Sequence, residues 1–79
     1  MPAFEKEREV TYEMGEHLGV ISSSASGWSK ELNLVSWNGK AEKYDIREWC
    51  ENHGRMRKGV TLTQEEIKNL YDILKELNL

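Results

Sequence analysis

Apolar and polar residues alternate along much of this chain, which is the two-residue period of a β-strand. Met14, Leu18 and Val20 occupy even positions and predict a first strand from about residue 12 to residue 23. Two glycines fall inside this stretch, and glycine within a strand often marks a bend or a bulge. The small residues at 22–27 then predict a turn.

The clearest hairpin signal lies in the middle of the chain. The stretch 28–37 predicts a second strand and the stretch 40–49 a third, with Asn38-Gly39 between them. Asn-Gly strongly favours a two-residue hairpin, because both central residues of a type I′ turn take positive φ. We therefore expect these two strands to pair in antiparallel fashion.

Alternation gives this hairpin two different faces. One, which we call the aliphatic face, carries Leu32, Leu34, Tyr44 and Ile46. The other, which we call the aromatic face, carries Asn33, Val35, Trp37, Asp45, Arg47 and Trp49. An antiparallel sheet can leave one face to solvent. We expect the aliphatic face to be the covered one and the aromatic face to be open.

The last part of the chain predicts a short strand and then a helix. Residues 57–62 form the strand, and Thr63 with Glu66 three residues later is a capping box at the helix start. An apolar stripe follows at helical spacing, made of Ile67, Leu70, Tyr71, Leu74 and Leu77. The expected fold is α+β: a four-stranded antiparallel sheet with a C-terminal helix on its aliphatic face.

Length and composition limit how such a fold can be stabilised. The 79 residues make one domain, with a charged N-terminal segment at 1–11 and the folded domain at 12–79. Cys50 is the only cysteine, so no disulfide forms within the chain, and no metal-ligand spacing or cofactor motif is present. Small domains of this kind often self-associate, which favours a homodimer. No membrane-spanning or signal segment is visible, and we expect a cytoplasmic protein.

The distribution of charge is more informative than the net charge of −3. Residues 30–58 hold seven basic and five acidic side chains, whereas both ends of the chain are acidic. A basic centre beside tryptophans is typical of single-strand binding, in which bases stack on the rings and cations follow the phosphates. Nine candidate residues carry this hypothesis: Trp28, Lys30, Trp37, Lys40, Lys43, Arg47, Trp49, Arg57 and Lys58.

Structural roles for the same residues remain open. Trp28 and Trp37 could be core or cross-strand packing residues, and Arg47 could form a surface salt bridge with Asp45, Glu48 or Glu31. A protein-interaction module using the aromatic face, or a binder of single-stranded RNA, fits the pattern as well. Catalysis has little support, because neither histidine accompanies a nucleophile at a recognisable spacing.

Three motifs resemble the positive-cofactor-four transcriptional coactivators, and more closely their bacterial YdbC-like branch. They are WNGK at 37–40, DIREW at 45–49 and MRKGVTL at 56–62, within a resemblance that covers residues 27–77. It implies a homodimer that binds single-stranded DNA across two curved sheets. It further implies that Trp37 stacks a base and that Lys40, Arg47, Arg57 and Lys58 contact the strand. Eukaryotic members place an aromatic pair where this chain has Trp49-Cys50, so one stacking position is absent.

Overall fold

The four strands form one antiparallel sheet in chain order, followed by a single helix. A computed structural model describes residues 10–79; most of the predicted N-terminal segment, residues 1–9, lies outside the described residues. The elements are β1 (Tyr12–Ser23), β2 (Ser29–Trp37), β3 (Lys43–Trp49), β4 (Met56–Leu62) and α1 (Gln64–Leu77). The α+β fold class predicted from the sequence is therefore confirmed.

The central hairpin turns at Asn38-Gly39 as the sequence predicts. Both residues have positive φ, 52° and 75°, and the backbone N–H of Lys40 donates to the carbonyl of Trp37 at 2.9 Å. Lys43, and not Lys40, begins β3, so the connection is three residues longer than the sequence indicates. The turn also holds the start of the first strand, since the backbone N–H of Thr11 donates to Asn38 Oδ1 at 3.0 Å.

β1 is a long, bulged edge strand. Its register against β2 shifts at three places, between Met14 and His17, between His17 and Gly19, and again after Val20. Each extra residue bends the strand and increases its twist. The two glycines of β1 thus accompany the irregularities that the sequence predicts.

α1 begins where the capping box places it. The Thr63 side chain accepts the backbone N–H of Glu66 at 3.1 Å, and the Glu66 carboxylate accepts the backbone N–H of Thr63 at 2.8 Å. The helix ends at Leu77, and the capping residue Asn78 takes the left-handed conformation with φ of 56°. A C-terminal cap of this type satisfies carbonyls that the last turn leaves without partners.

The sheet curls around its aromatic face, and this overturns the predicted exposure of the two faces. In a flat sheet, Trp37 and Trp49 would stand at opposite ends of the hairpin, roughly 26 Å apart along the strands. Both rings instead contact the ring of Tyr12, with centroids 5.7 and 5.5 Å away. The curl encloses the aromatic face, where all the fully buried large side chains within residues 10–79 lie: Trp49, Val35, Asn33 and Asp45.

The aliphatic face is correspondingly less covered than expected. α1 follows β4 closely and packs only against the ends of β3 and β4, where the Tyr44 hydroxyl donates to Gln64 Oε1 at 3.4 Å. Ile67 and Leu70 are half-buried, but no residue of α1 is fully buried. Val60 on β4 and most of the apolar stripe of α1 remain exposed. The expectation that the helix covers this face is therefore wrong for the single chain.

Candidate nucleic-acid interface

Trp49 belongs to the hydrophobic core and not to a stacking surface. Its side chain is 0% exposed, enclosed by the rings of Tyr12 and His53 at 5.5 and 5.6 Å. A ring with no exposed surface cannot receive a base, so this part of the sequence-based interpretation is corrected. The reason is the curl of the sheet, which alternation along a strand does not reveal.

Arg47 is likewise held inside the curled sheet. Its guanidinium makes a two-pronged ion pair with the buried Asp45, at 2.6 and 2.9 Å, and its side chain is only 13% exposed. Thr61 donates a further hydrogen bond to the same carboxylate at 3.0 Å. Of the three carboxylates that the sequence offers to Arg47, the structure pairs it with Asp45. This ion pair is buried, whereas the sequence suggested a surface salt bridge. Arg47 is therefore no freely available phosphate contact.

Trp37 lies at the edge of the enclosed region. It is half-buried, and the Arg47 guanidinium carbon stands 4.7 Å from its ring centroid. The exposed Lys40 and Lys43 flank it, one in the hairpin connection and one opposite Val35 at the start of β3. These four residues, which we call the Trp37 group, form one local arrangement in which Arg47 orients the ring and two lysines reach solvent.

Trp28 is the centre of a second group at the other end of β2. The guanidinium carbon of Arg57 lies 4.1 Å from the centroid of the Trp28 ring, and that of Arg55 lies 5.7 Å from it. An open cavity of about 620 Å³ lies beside it, lined by Ser26, Gly27, Cys50, Glu51, Asn52 and Gly54. An aromatic ring stacked by arginine at an open cavity offers both a π-surface and positive charge. We call Trp28, Arg55 and Arg57 the Trp28 group.

Lys30 and Lys58 extend the positive charge along the sheet from the Trp28 group. Both line a shallow groove with Ile46 and Val60, on the side of the aliphatic face. Glu48 stands opposite Lys30 and also accepts from Arg57 at 2.9 Å, which fixes that guanidinium beside Trp28. Eight of the nine predicted residues thus divide between two groups and a groove, while Trp49 lies in the core, so the structure does not gather the nine on one face.

Arg55 is a functional candidate absent from the nine predicted residues. The sequence places it in a basic cluster with Arg57 and Lys58 around Met56, and in the structure it shares an aromatic partner with Arg57. The loop that presents it is shaped around Cys50, whose sulfur accepts the backbone N–H of Arg55 at 3.1 Å. Burial alone raises the pKa of Cys50, but hydrogen bonds from the loop backbone outweigh it and lower the pKa.

A polar cluster at the rim of the aromatic face was also missed. Glu31 is buried and accepts hydrogen bonds from Ser29, Asn33 and His53 at 2.5, 3.1 and 2.9 Å. Burial alone raises the pKa of Glu31, but these hydrogen bonds outweigh it and lower the pKa below its ordinary value. His17 contacts Asn33 at 2.7 Å and completes what we call the Glu31 cluster.

Nothing in the described part of the chain resembles a metal centre or a membrane span. Residues 10–79 contain no group of three or more histidine, cysteine, aspartate or glutamate side chains placed to hold a metal ion. Within the same range, no helix is both long and apolar enough to cross a membrane. The groups described above offer stacking, ion pairing and hydrogen bonding.

Comparisons with known proteins agree with this chemistry. An uncharacterized protein of Treponema pallidum (strain Nichols) is 50% identical over 68 residues, which cover 86% of this chain and 80% of that protein. Residues 24–73 match the family described as Transcriptional Coactivator p15 (PC4), which is a family of nucleic-acid-binding proteins and not of enzymes. That match spans β2, the hairpin, β3, β4 and most of α1. This chain belongs to the Transcriptional Coactivator p15 (PC4) family.

Proposed function

We propose that this protein binds single-stranded DNA by base stacking and phosphate contacts, with little preference for sequence. The observation that carries the proposal is the Trp28 group, in which arginines stack on a half-exposed ring beside an open cavity. Stacking suits every base, because every base has a π-face. Membership of a family with single-stranded DNA binding and coactivator roles supports a function in transcription regulation or DNA maintenance.

The two tryptophan groups suit a strand that runs between them. Trp28 directly precedes β2 and Trp37 is its last residue, and exposed lysines lie near both groups. The cations supply the part of the affinity that does not depend on sequence, through release of counterions from the phosphates. Because two candidate cations also pair with carboxylates, Arg47 with Asp45 and Arg57 with Glu48, we expect moderate affinity with strong salt dependence.

The direct test is the anisotropy of a labelled oligo-thymidine titrated with the protein at rising salt. Trp28→Ala should weaken binding by about 1–3 kcal/mol, the usual value of one stacked base. Arg57→Gln and Lys58→Ala should each weaken binding and make the salt dependence shallower. Lys68→Ala is the matched control, since Lys68 is an exposed lysine of α1 outside both groups. If the affinity for the oligonucleotide changed neither with salt nor with any of these substitutions, the result would instead favour a protein-interaction module.

The choice of DNA over RNA requires a separate comparison. Stacking and phosphate contacts do not read the 2′-hydroxyl, which is the group that distinguishes the two nucleic acids. Matched oligo-thymidine and oligo-uridine of one length should therefore be titrated in parallel at one salt concentration. Binding of the RNA strand much more tightly than the DNA strand would contradict the proposed ligand.

We further propose that the functional unit is a homodimer formed through the exposed apolar side of α1. Tyr71, Ile73, Leu74 and Leu77 of α1 are exposed. An exposed apolar patch of this kind marks an interaction surface, and a second copy supplies a complementary one. Sedimentation velocity should give twice the chain mass. Leu74→Glu, which places a charge in the patch, should give a single-chain mass.

A further inference from the structure

The loop between β3 and β4 is held in shape by its own hydrogen bonds. The backbone N–H of Cys50 donates to the carbonyl of Arg55 at 3.0 Å, and the backbone N–H of His53 donates to the carbonyl of Cys50 at 2.9 Å. The side-chain oxygen of Asn52 accepts the backbone N–H of Gly54 at 2.9 Å. These bonds fix the backbone from which two charged side chains reach the open cavity of the Trp28 group.

The two charged side chains, Glu51 and Arg55, line the same cavity without pairing. Among residues 10–79, neither side chain takes part in an ion pair or in a side-chain hydrogen bond. The neighbouring Glu48 and Arg57 do pair, at 2.9 Å. A ligand pocket usually presents a few polar groups that converge on the ligand. Here the cavity presents one carboxylate and one guanidinium whose hydrogen-bonding capacity is unused within the described residues.

The ring of Trp28 forms another part of the cavity wall. Arg57 covers part of that ring but is not among the residues that line the cavity, so the cavity opens on a part of the ring that Arg57 leaves uncovered. Glu51 Oε1 lies 4.0 Å from the position that a Cβ on Gly27 would occupy, and Gly27 directly precedes Trp28. A planar ligand stacked on the ring therefore has the carboxylate within reach of its edge. The volume of about 620 Å³ falls within the usual range of ligand pockets, about 300–1,000 Å³.

A ring, a carboxylate and a guanidinium match guanine better than they match the other bases. Guanine N1–H and N2–H₂ are neighbouring donors, and a carboxylate, which only accepts, can bind both at once. Guanine O6 and N7 are neighbouring acceptors, and arginine binds this pair in the commonest base-specific contact of proteins. On the Watson–Crick edges of adenine, cytosine and thymine an acceptor stands next to the donor. A carboxylate therefore binds only one donor on each of those edges.

We propose that this cavity is a guanine-selective subsite. The base stacks on Trp28, Glu51 accepts from N1–H and N2–H₂, and Arg55 donates to O6 and N7. The proposal rests on the proposed function and adds to it a preferred base at one position of the bound strand. The other positions remain tolerant of sequence, because stacking suits every base. Since a carboxylate repels phosphate, Glu51 suits contact with the edge of a base and not with the strand backbone.

The test compares the affinities of oligo-thymidine strands of one length, carrying one central guanine, one central adenine or no purine. Adenine is the matched probe, because it stacks as a purine but lacks the pair of neighbouring donors. The wild type should bind the guanine strand about tenfold more tightly than the adenine strand, the usual discrimination of a bidentate contact. A strand carrying inosine, which lacks the N2 amino group, should bind less than about threefold more tightly than the adenine strand.

Glu51→Gln keeps the size of the side chain but replaces one acceptor by an amide donor. In this variant the guanine and adenine strands should bind within about twofold of each other. Unmodified oligo-thymidine should bind at least as tightly as it binds the wild type, because a negative charge has been removed. Glu65→Gln is the matched control, since Glu65 is an exposed carboxylate of α1, and it should keep the wild-type preference for guanine.

The same strands distinguish failure of the subsite from failure of the proposed function. Equal wild-type affinity for the guanine and adenine strands, or an inosine strand that binds as tightly as the guanine strand, would overturn the subsite. A guanine preference that persists in Glu51→Gln, or loss of oligo-thymidine binding in that variant, would overturn it as well. Each of these results leaves the proposed function standing as long as the wild type binds oligo-thymidine. Absence of wild-type binding to every strand would overturn both.

Discussion

Trp49 is the largest fully buried side chain among residues 10–79. It is fully buried and touches both Tyr12 and His53, so its loss would leave a large cavity where the curled sheet closes. We predict that Trp49→Ala lowers the free energy of unfolding by about 3–5 kcal/mol, the usual cost of such a truncation. Urea unfolding monitored by circular dichroism measures this loss.

The matched control for that prediction is Trp28→Ala. Trp28 is half-buried and borders an open cavity, so water can occupy the space that its ring leaves. It should therefore lose much less stability than Trp49→Ala. If the two variants unfolded at the same urea concentration, Trp49 would not be the core residue that its burial indicates.

Glu31 should make stability depend on pH. Its pKa is lowered in the folded protein, so its contribution is fully present above the unfolded-state value of about 4.3 and disappears as the pH falls through the folded value. Near neutrality Glu31→Gln should be less stable by about 1.5–3 kcal/mol, because charged hydrogen bonds are lost. Urea midpoints measured at decreasing pH should show this gap closing. A gap that stays constant into acid would refute the assignment.

At the scale of elements, Gly59 is a point where β4 and β3 approach closely. It stands opposite Arg47, and a Cβ added to it would collide with Arg47 Cβ and the carbonyl oxygen of Ile46. We predict that Gly59→Ala forces the strands apart and costs about 1–3 kcal/mol or more, as overpacking does. The measurement is again the urea midpoint.

Gly19→Ala provides the control for Gly59→Ala within the same sheet. An added Cβ at Gly19 meets nothing within 4 Å, so we expect a change within about 0.5 kcal/mol. Chain entropy by itself would make either alanine variant slightly more stable, so comparable losses in the two variants would contradict the close approach as the cause of the loss at Gly59.

The elements themselves were largely predictable from the sequence, because their signals are local. The ends of β1, the Asn38-Gly39 turn and the Thr63 cap each depend on a few neighbouring residues. Alternation also assigned Trp37 and Trp49 to one face correctly. It could not show which face is enclosed, since the curl brings together residues distant in sequence. Nor does sequence show that a bulge places His17 beside Glu31, because register depends on the partner strand.

At the scale of the whole molecule, the interior and the apolar surface are separated. The aromatic face encloses polar side chains with Val35 and Trp49, whereas much of the apolar stripe of α1 faces solvent. The single chain thus leaves uncovered much of the apolar surface that would ordinarily stabilise a small domain. The sequence predicts both the apolar stripe of α1 and the aliphatic face of the sheet. Their exposure follows from the curl, because the sheet encloses its aromatic face and α1 packs only against the ends of β3 and β4.

If a second copy covers this surface, unfolding should depend on protein concentration. Dimerisation stabilises the folded state by mass action, so the midpoint of thermal unfolding should rise steadily as the protein is concentrated. Leu77→Glu, at an exposed position of the stripe, should lower the midpoint and remove its dependence on concentration. Glu76→Gln, one residue away and outside the apolar stripe, serves as the control and should keep the wild-type dependence. A midpoint that does not vary with concentration in the wild type would show that the chain folds without a partner on this surface.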